Sequence, residues 1–363
     1  MEINYSNLNK QNKRFKKEFI SKVSSIVDSC QFISGKEVES FEENFAKFCG
    51  VKYCVATSSG TTALHVALNN FDYEGEVLTC ANSYIATSEA VSHCKNLKHN
   101  FVDVDDTSNM DIQKAIESIN KKTKVLLPTS LYGNPCNLLE LKCLAKSSKT
   151  ILINDAAQAH GSLFDGRPIA TFSDLTCFSF YPGKNLGTCG EGGAVVTNSK
   201  KLYDQMKMIV NHGQSKKYHH DKVGFNYRMS EIEAAMLNLK LPHLNEWNER
   251  RISIANKYLE AILENDKIDT LKVEKTNKCV YHVFPIFVEN RNKVQQFLLK
   301  QGIQTGMHYP KPIHLQKAYR YLKYKKGDLP ISEKQSFTEL SLPLYPEMTN
   351  KEVDYVCSKI TKL

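Results

Sequence analysis

The feature that most restricts the fold is an alternation between residues 50 and 200, where short β-branched apolar runs alternate with longer amphipathic segments. Seven runs have the length and composition of strands: KYCVAT (52–57), EVLTC (76–80), HNFVDV (99–104), TKVLLPT (123–129), TILIND (150–155), LTCFSF (175–180) and GGAVVT (192–197). The alternation predicts an α/β fold with a mostly parallel central sheet covered by helices. Ligands bind such sheets beyond the carboxyl ends of the strands, so we expect the functional site there.

The pattern changes in the last third of the chain. Residues 229–262 have the composition of a long helix that Pro242 kinks or divides, because proline lacks the backbone N–H. An apolar strand is predicted at 279–288 and a helix at 292–303, and a last helix opens with the capping-box spacing of Thr349 and Glu352. We predict a large domain over residues 1–245, with an N-terminal helix packed on it or on the small domain, and a smaller C-terminal α+β domain over residues 246–363.

Composition excludes several classes of function. No apolar run among the 363 residues approaches the roughly 20 that a membrane span needs, and the polar, basic opening lacks the apolar core of a secretory signal. The eleven cysteines include no C-x-x-C pair, which favours reduced core thiols and no metal site. The net charge of +9 comes from lysines spread along the chain, which suits an anionic small substrate better than nucleic acid. We therefore expect a cytoplasmic protein without membrane or nucleic-acid partners.

Three short motifs are candidates for chemistry. Residues 58–61 (SSGT) join a strand to a helix, which suits phosphate binding but is also how ordinary capped helices begin. Asp155 ends an apolar strand, where its carboxylate could pair with a protonated ring nitrogen or cap a following helix. Lys184 follows a later strand among small and aromatic residues, either as a nucleophilic amine or as a lysine that extends to solvent.

The order of these motifs is more specific than any one of them. Asn185 follows Lys184 where a P-loop has Ser or Thr, and GTCGEGG does not match the dinucleotide fingerprint G-x-G-x-x-G. A phosphate-binding turn, then an acid at a strand end, then a lysine after a later strand is the set that pyridoxal phosphate requires. The sequence therefore predicts that Lys184 binds this cofactor covalently.

The chain also resembles the DegT/DnrJ/EryC1/StrS family of pyridoxal-phosphate-dependent sugar aminotransferases over nearly its whole length. Eleven ordered blocks carry the resemblance: SSGTTALHVAL, NSYIATSEAV, FVDVDD, LYGNP, NDAAQAHG, CFSFYPGKNLG, GEGGAVVTN, NHGQSKKYHH, GFNYRMSEIEAA, HYPKPIH and LSLPLYPEMT. The most specific of them are FSFYPGKN and DAAQAHG. The resemblance implies the three-layer fold of fold-type I pyridoxal-phosphate transferases, with the smaller C-terminal domain.

The resemblance implies a role for each residue that faces the cofactor ring. Lys184 would bind the cofactor and move the proton at the amino carbon. Asp155 would pair with the ring nitrogen, and Gln158 would hydrogen-bond the ring hydroxyl oxygen. Tyr84 would stack on the ring, with a plain core position as the alternative. His160 is expected to pack beneath the cofactor rather than to take part in the reaction.

Further residues are implied for the phosphate and for the substrate. The backbone of Gly60 and Thr61 and the hydroxyl of Ser179 would hold the phosphate. Asn226 would reach the phosphate of a neighbouring subunit, which implies a homodimer with shared active sites. The residues that the resemblance places on the sugar side are Tyr181, His308 and Tyr309. His219 and His220 remain open between the loop surface and substrate contact.

The implied reaction transfers the amino group of L-glutamate to a nucleotide-linked keto-(deoxy)sugar. HYPKPIH favours amination at the third carbon, and SSGTTAL leaves the fourth carbon, or a keto-cyclitol acceptor, open. Lys184 argues against the related dehydratases, in which histidine replaces this lysine. A non-catalytic cofactor-binding regulatory protein is the alternative from another class. Two departures, Gly183 where many relatives have threonine and the absence of proline from EGEVLTCANSY, fall on none of the assigned residues.

Overall fold

The computed structural model describes residues 1–363. The strands are β1 (Tyr53–Thr57), β2 (Gly75–Cys80), β3 (Leu97–Val102), β4 (Thr123–Leu127), β5 (Ile151–Asp155), β6 (Leu163–Phe164), β7 (Arg167–Pro168), β8 (Leu175–Ser179), β9 (Gly193–Thr197), β10 (Gln214–Lys216), β11 (His219–His220), β12 (Ile268–Thr270), β13 (Phe284–Val288) and β14 (Glu339–Leu342). The α-helices are α1 (Leu8–Ser29), α2 (Lys36–Phe48), α3 (Gly60–Asn69), α4 (Ala86–Ser92), α5 (Ile112–Ser118), α6 (Leu138–Ser148), α7 (Lys200–Ile209), α8 (Glu231–Lys240), α9 (Leu244–Ile262), α10 (Arg291–Lys300), α11 (Pro330–Thr338) and α12 (Asn350–Ile360).

Seven strands form the central sheet, in the order β1-β9-β8-β5-β4-β2-β3. Strand β9 is antiparallel to both of its neighbours, and the other adjacent pairs are parallel. All seven strands overlap the runs that the sequence predicts, with β3 displaced by two residues from the predicted 99–104, and the predicted mostly parallel α/β sheet is confirmed. Because β1, β5 and β8 point the same way, their carboxyl ends lie at one edge of the sheet.

Helices cover both faces of this sheet. Helices α2, α6 and α8 contribute to the apolar layer on one face, and α3, α4 and α7 contribute to the layer on the other. Neighbouring residues of one strand alternate between the layers, as with Leu152 in the first and Ile153 in the second. This alternation follows from the two-residue period of a strand, and it makes a three-layer structure.

A second sheet, β12-β13-β14, is antiparallel and shares an apolar core with α9, α10 and α12. The N-terminal segment joins this part of the molecule, because the Ile3 N–H donates to the Gly302 carbonyl at 2.8 Å. The predicted division at residue 245 falls in the first turn of α9 and stays a prediction. No helix combines the length and the apolar character needed to cross a membrane.

Two predicted elements differ in detail from the structure. Pro242 lies in a 3₁₀ turn, Leu241–His243, so the predicted long helix is divided into α8 and α9. The strand predicted at 279–288 exists only from Phe284 onward. Residues 279–283 instead bond to a loop of the large sheet, with the His282 N–H donating to the Tyr132 carbonyl at 2.8 Å. Local apolar pattern predicts a strand here, but this long-range pairing holds the segment against the site.

Candidate functional site

A cavity of about 570 Å³ opens at the carboxyl edge of the central sheet. Its walls come from the end of β5, the loop after β8, the start of α3 and segments of the C-terminal part. Ten of the eleven residues proposed from the sequence line it: Gly60, Thr61, Tyr84, Asp155, Gln158, Ser179, Tyr181, Lys184, His308 and Tyr309. The eleventh, Asn226, does not line this cavity.

Asp155 is the buried acid of the cavity, with only 4% of its surface exposed. The Thr87 hydroxyl donates to its Oδ2 at 2.7 Å, and the Ala157 N–H donates to its Oδ1 at 3.1 Å. Burial raises the pKa of the Asp155 carboxyl, while these two donors and the charge of Lys184 act to lower it. The element that follows β5 is the short strand β6 and not an α-helix, so the capping role left open by the sequence does not account for Asp155. A buried carboxylate is costly to ionise unless a cation faces it, and a protonated ring nitrogen would be such a cation.

Lys184 supplies a single amine to the same cavity. Its backbone N–H bonds to the Tyr181 carbonyl at 2.9 Å in the loop after β8, whereas its Nζ has no hydrogen bond within the chain. Burial lowers the pKa of the Lys184 amine to about 8, against the opposing effect of Asp155. An amine with this pKa is substantially unprotonated at mildly alkaline pH, which is the form that attacks carbonyl carbon.

The start of α3 forms the anion-binding end of the cavity. Ser59 and Thr62 make a capping box, which leaves the N–H groups of Gly60 and Thr61 without acceptors in the chain. A Cβ at position 60 would lie 2.5 Å from the Cβ of Ser179, so only glycine lets the helix start pack against the end of β8. Free amides, the positive end of the helix dipole and the Ser179 hydroxyl together suit a phosphate group.

Gln158 connects the cavity floor to its aromatic wall. Its Oε1 accepts from the Tyr132 N–H at 2.6 Å, and its Nε2 donates to the Tyr309 hydroxyl at 3.1 Å. Tyr84 packs against Tyr309 with ring centroids 5.4 Å apart and is 57% exposed. The exposure excludes the core position considered for Tyr84 and leaves its ring free to cover a planar ligand.

His160 lies beneath this arrangement. Its Nε2–H donates to the Ser179 carbonyl at 2.9 Å, and its ring packs against Phe178 and Phe180. Burial, and next the charge of Lys184, lower the pKa of the His160 imidazole to about 3, so the ring is neutral. A neutral ring without access to a substrate supports packing as its role.

Sequence reasoning missed several residues that shape the cavity. Thr87 orients Asp155. In the sequence, the only indication of this role is that Thr87 carries a hydroxyl and lies three residues after Tyr84. His282 lines the cavity and donates from Nδ1 to the Asn185 side chain at 3.1 Å. Arg251, from α9, also lines it, and its guanidinium donates to the Leu344 carbonyl at 2.9 Å. The partners of these residues lie far away in the chain, so no local pattern points to them.

Three residues proposed near the substrate or the subunit junction lie outside the cavity. Asn226 is exposed, and its side-chain oxygen accepts from the Arg228 guanidinium at 2.8 Å. His219 and His220 are exposed in β11, on a two-stranded hairpin with β10. The surface position considered for the two histidines is therefore the one that this chain adopts.

The sequence profile of the DegT/DnrJ/EryC1/StrS aminotransferases matches residues 13–361. The chain belongs to this family. It is 37% identical to the dTDP-3-amino-3,6-dideoxy-alpha-D-galactopyranose transaminase of Aneurinibacillus thermoaerophilus, over 99% of both chains. The DegT/DnrJ/EryC1/StrS resemblance inferred from the eleven sequence blocks is thereby confirmed.

Solved structures of family members agree with the fold. Streptomyces DesV (S. venezuelae), in complex with a ketimine intermediate, superimposes with a TM-score of 0.97 at 33% identity, over 99% of this chain and 98% of DesV. NtdA from Bacillus subtilis, with bound PMP, superimposes with a TM-score of 0.92 at 28% identity, over 100% of this chain and 86% of NtdA. The predicted fold class is confirmed, and the protein is a pyridoxal-phosphate-dependent transaminase, which goes against the non-catalytic alternative.

The residues of the cavity fit this cofactor. An unpartnered amine at Lys184, a buried carboxylate at Asp155 and two unbonded amides at Gly60 and Thr61 match its aldehyde, its ring nitrogen and its phosphate. When bound, pyridoxal phosphate supplies an electron-withdrawing ring that stabilises negative charge at the carbon bearing the transferred amino group. The chain supplies the charges and donors that hold such a ring in place.

Proposed function

We propose that the protein transfers the amino group of L-glutamate to a nucleotide-linked keto-(deoxy)sugar, at the third carbon of the sugar. The observation that carries the proposal is the pairing of an unpartnered Lys184 amine with a buried Asp155 carboxylate in one cavity. A buried carboxylate and an amine whose pKa is lowered by burial, both in one cavity, are typical of an active site, and both half-reactions of a transamination use both groups.

The two charged groups divide the chemistry between them. In each half-reaction Lys184 would move the proton between the amino-bearing carbon and the cofactor, because its amine, with a pKa of about 8, is available as a base at mildly alkaline pH. Asp155 stays ionised beside the ring nitrogen, where its charge favours the protonated ring. Burial of both groups strengthens these electrostatic effects relative to water.

The substrate side of the proposal rests on the wall formed by Tyr181, His308 and Tyr309. Burial, and next the charge of Lys184, lower the pKa of His308 to about 4, so its imidazole is neutral and can pair with sugar hydroxyls. The volume of about 570 Å³ leaves room for a ligand larger than an amino acid. Preference for the third carbon is supported by HYPKPIH and by the 3-amino sugar in the name of the Aneurinibacillus relative.

The test is a panel of UDP-, dTDP- and GDP-linked keto-sugars, with the carbonyl at the third or the fourth carbon, together with a keto-cyclitol, each incubated with the holoenzyme and L-glutamate. We expect mass spectrometry to show an amino sugar and one equivalent of 2-oxoglutarate for at least one 3-keto substrate. Amination of only 4-keto sugars or of a keto-cyclitol would transfer the proposal to those acceptors. Release of 2-oxoglutarate without amination of any member of the panel would contradict a sugar acceptor.

A further inference from the structure

A short chain of hydrogen bonds leads from His308 in the cavity wall into the small sheet. The ring Nδ1 of His308 lies 2.8 Å from the Ser341 hydroxyl. That hydroxyl also bonds to Oε1 of Glu339. The second carboxylate oxygen of Glu339 accepts from the His308 backbone N–H at 2.6 Å. Glu339 and Ser341 have no exposed surface, so solvent does not compete for these bonds.

The direction of the chain follows from its end groups. Ionised Glu339 can only accept, so the Ser341 hydroxyl must donate its one hydrogen to the carboxylate. Ser341 then has only lone pairs left for His308, which must donate from Nδ1. Since the His308 ring is neutral, its second nitrogen, Nε2, is unprotonated. Nε2 makes no hydrogen bond within the chain, and His308 lines the cavity.

The backbone holds the three side chains in register. Gly306 and Ser341 exchange two backbone hydrogen bonds of 2.9 Å, which fixes β14 against the segment that carries His308. The Tyr132 hydroxyl donates to the His308 carbonyl at 2.5 Å, and Tyr5 stacks on the His308 ring with centroids 5.7 Å apart. The ring therefore has little freedom to turn away from Ser341.

We propose that Glu339 and Ser341 are positioning residues that fix the tautomer of His308, so that its Nε2 accepts a hydrogen bond from a hydroxyl of the acceptor substrate. The identity of that hydroxyl rests on the proposed function. The tautomer of His308 does not, because it follows from the hydrogen bonds alone. It also implies a switch: a protonated Glu339 would donate to Ser341, Ser341 would donate to Nδ1, and the ring proton would move to Nε2.

The groups around Glu339 place this switch near neutral pH. Burial raises the pKa of Glu339 to about 7, against the lowering effects of Ser341, the His308 N–H and the Arg291 guanidinium of α10. The other titratable groups that face it are Tyr5, Tyr132 and Tyr309, whose pKa values are all raised by burial, so they stay neutral. Above about pH 7 the carboxylate makes Nε2 an acceptor, and below it the acid makes Nε2 a donor.

The direct test is the ring ¹⁵N spectrum of holoenzyme containing labelled histidine, with His308→Gln used to assign the signals. We expect wild-type His308 to have an unprotonated Nε2 at pH 8 and a protonated Nε2 at pH 6. In Glu339→Gln, the amide oxygen must accept from the His308 N–H and the amide NH₂ must donate to Ser341. That variant should show a protonated Nε2 at both values of pH.

A second buried pair provides the matched control. A carboxylate oxygen of Glu333 lies 3.1 Å from Nε2 of His314, and neither residue lines the cavity. Glu333→Gln should therefore leave the His308 signals unchanged. An identical His308 tautomer in wild type and Glu339→Gln at pH 8 would overturn the proposal. An unchanged tautomer in wild type between pH 6 and 8 would overturn the switch that the proposal implies.

Kinetics separates this inference from the proposed function. Glu339→Gln should lower kcat/KM for the keto-sugar about tenfold, which corresponds to one hydrogen bond. The half-reaction with L-glutamate should keep its rate, because His308 is assigned to the sugar. Absence of any sugar turnover would reject the proposed function while the ring spectra still decide the tautomer. An equal loss in both half-reactions would show a structural role for Glu339 and contradict the inference.

Discussion

At Asp155, burial raises the carboxyl pKa while Thr87, Ala157 and Lys184 act to lower it. The ionised form is needed only if a cation faces it, so the value of this residue lies in its charge more than in its shape. Replacing the charge while keeping the shape separates the two contributions.

Asp155→Asn should keep the fold and lose the charge that favours a protonated cofactor ring. We expect kcat to fall by a factor on the order of 10²–10³, as when a preorganised electrostatic contact is removed from an active site. Steady-state transamination and a thermal melt measure the two effects. Asp165→Asn, at an exposed turn, is the control with the same change of charge. Equal activity in wild type and Asp155→Asn would show that the carboxylate has no part in the reaction.

Lys184 provides a pH prediction. Burial lowers the pKa of the Lys184 amine from its ordinary value of 10.5 to about 8. The unprotonated amine therefore forms at a lower pH than in a lysine exposed to water. The rate at which apoprotein binds pyridoxal phosphate covalently should rise with pH, with its midpoint near pH 8. Asp155 raises the pKa of Lys184, so Asp155→Asn should move the midpoint to lower pH. A midpoint near 10, or one that moves upward in the variant, would be inconsistent with the structure.

The same residues show what a sequence can predict. Asp155 and Lys184 each follow an apolar run, and parallel strands place such ends at one edge, so their proximity was predictable. Thr87 lies 68 positions from Asp155, and Ser341 lies 33 positions from His308. No periodicity connects residues so far apart in different elements, so their hydrogen bonds appear only in the folded chain.

Among the elements, the start of α3 depends on one missing side chain. Gly60→Ala would place a Cβ 2.5 Å from the Cβ of Ser179 and force the helix away from β8. We expect a loss of about 1–3 kcal/mol in the free energy of unfolding. The preference for pyridoxal phosphate over pyridoxal should also shrink, because the free amides move away from the phosphate. Equilibrium binding of the two compounds measures that preference.

Gly183→Ala is the control for folding, since its Cβ would lie an ordinary 3.7 Å from the nearest atom, in Tyr181. The unfolding midpoint of this variant should match that of wild type. A Gly60→Ala protein with unchanged stability and an unchanged preference for the phosphorylated compound would refute the anion site at α3.

The elements themselves were predictable where their pattern is local. The alternation of apolar runs with amphipathic segments predicts all seven central strands. The missing N–H of Pro242 predicts the break in the long helix, which the structure has between α8 and α9. Residues 279–283 have the apolar composition of a strand, but hydrogen bonds to Gly133 and Tyr132 hold them against the large sheet. Tertiary pairing therefore overrode local propensity at the segment that brings His282 to the cavity.

At the scale of the whole molecule, we propose a homodimer in which Asn226 serves the neighbouring site. Asn226 is exposed and does not line the cavity of its own chain, and both observations support this proposal. Lys184→Ala and Asn226→Ala proteins should each be impaired alone. Mixed subunits should regain activity, because one site then combines an intact Lys184 from one chain with an intact Asn226 from the other. The mass in solution should be twice 41.2 kDa.

Failure of the mixed subunits to regain activity, at a mass of two chains, would confine the site to one chain. A mass of 41.2 kDa in a fully active preparation would reject the dimer itself. The division into domains near residue 245 and a cytoplasmic location stay predictions, since both were drawn from composition and sequence pattern.

The central claim is that one amine in this chain binds pyridoxal phosphate, and borohydride reduction followed by peptide mass spectrometry tests it most directly. We predict a single reduced pyridoxyl-phosphate adduct on the peptide that contains Lys184, and none in a folded Lys184→Ala protein. An adduct on another lysine, or no adduct in wild-type protein that transaminates, would contradict the account.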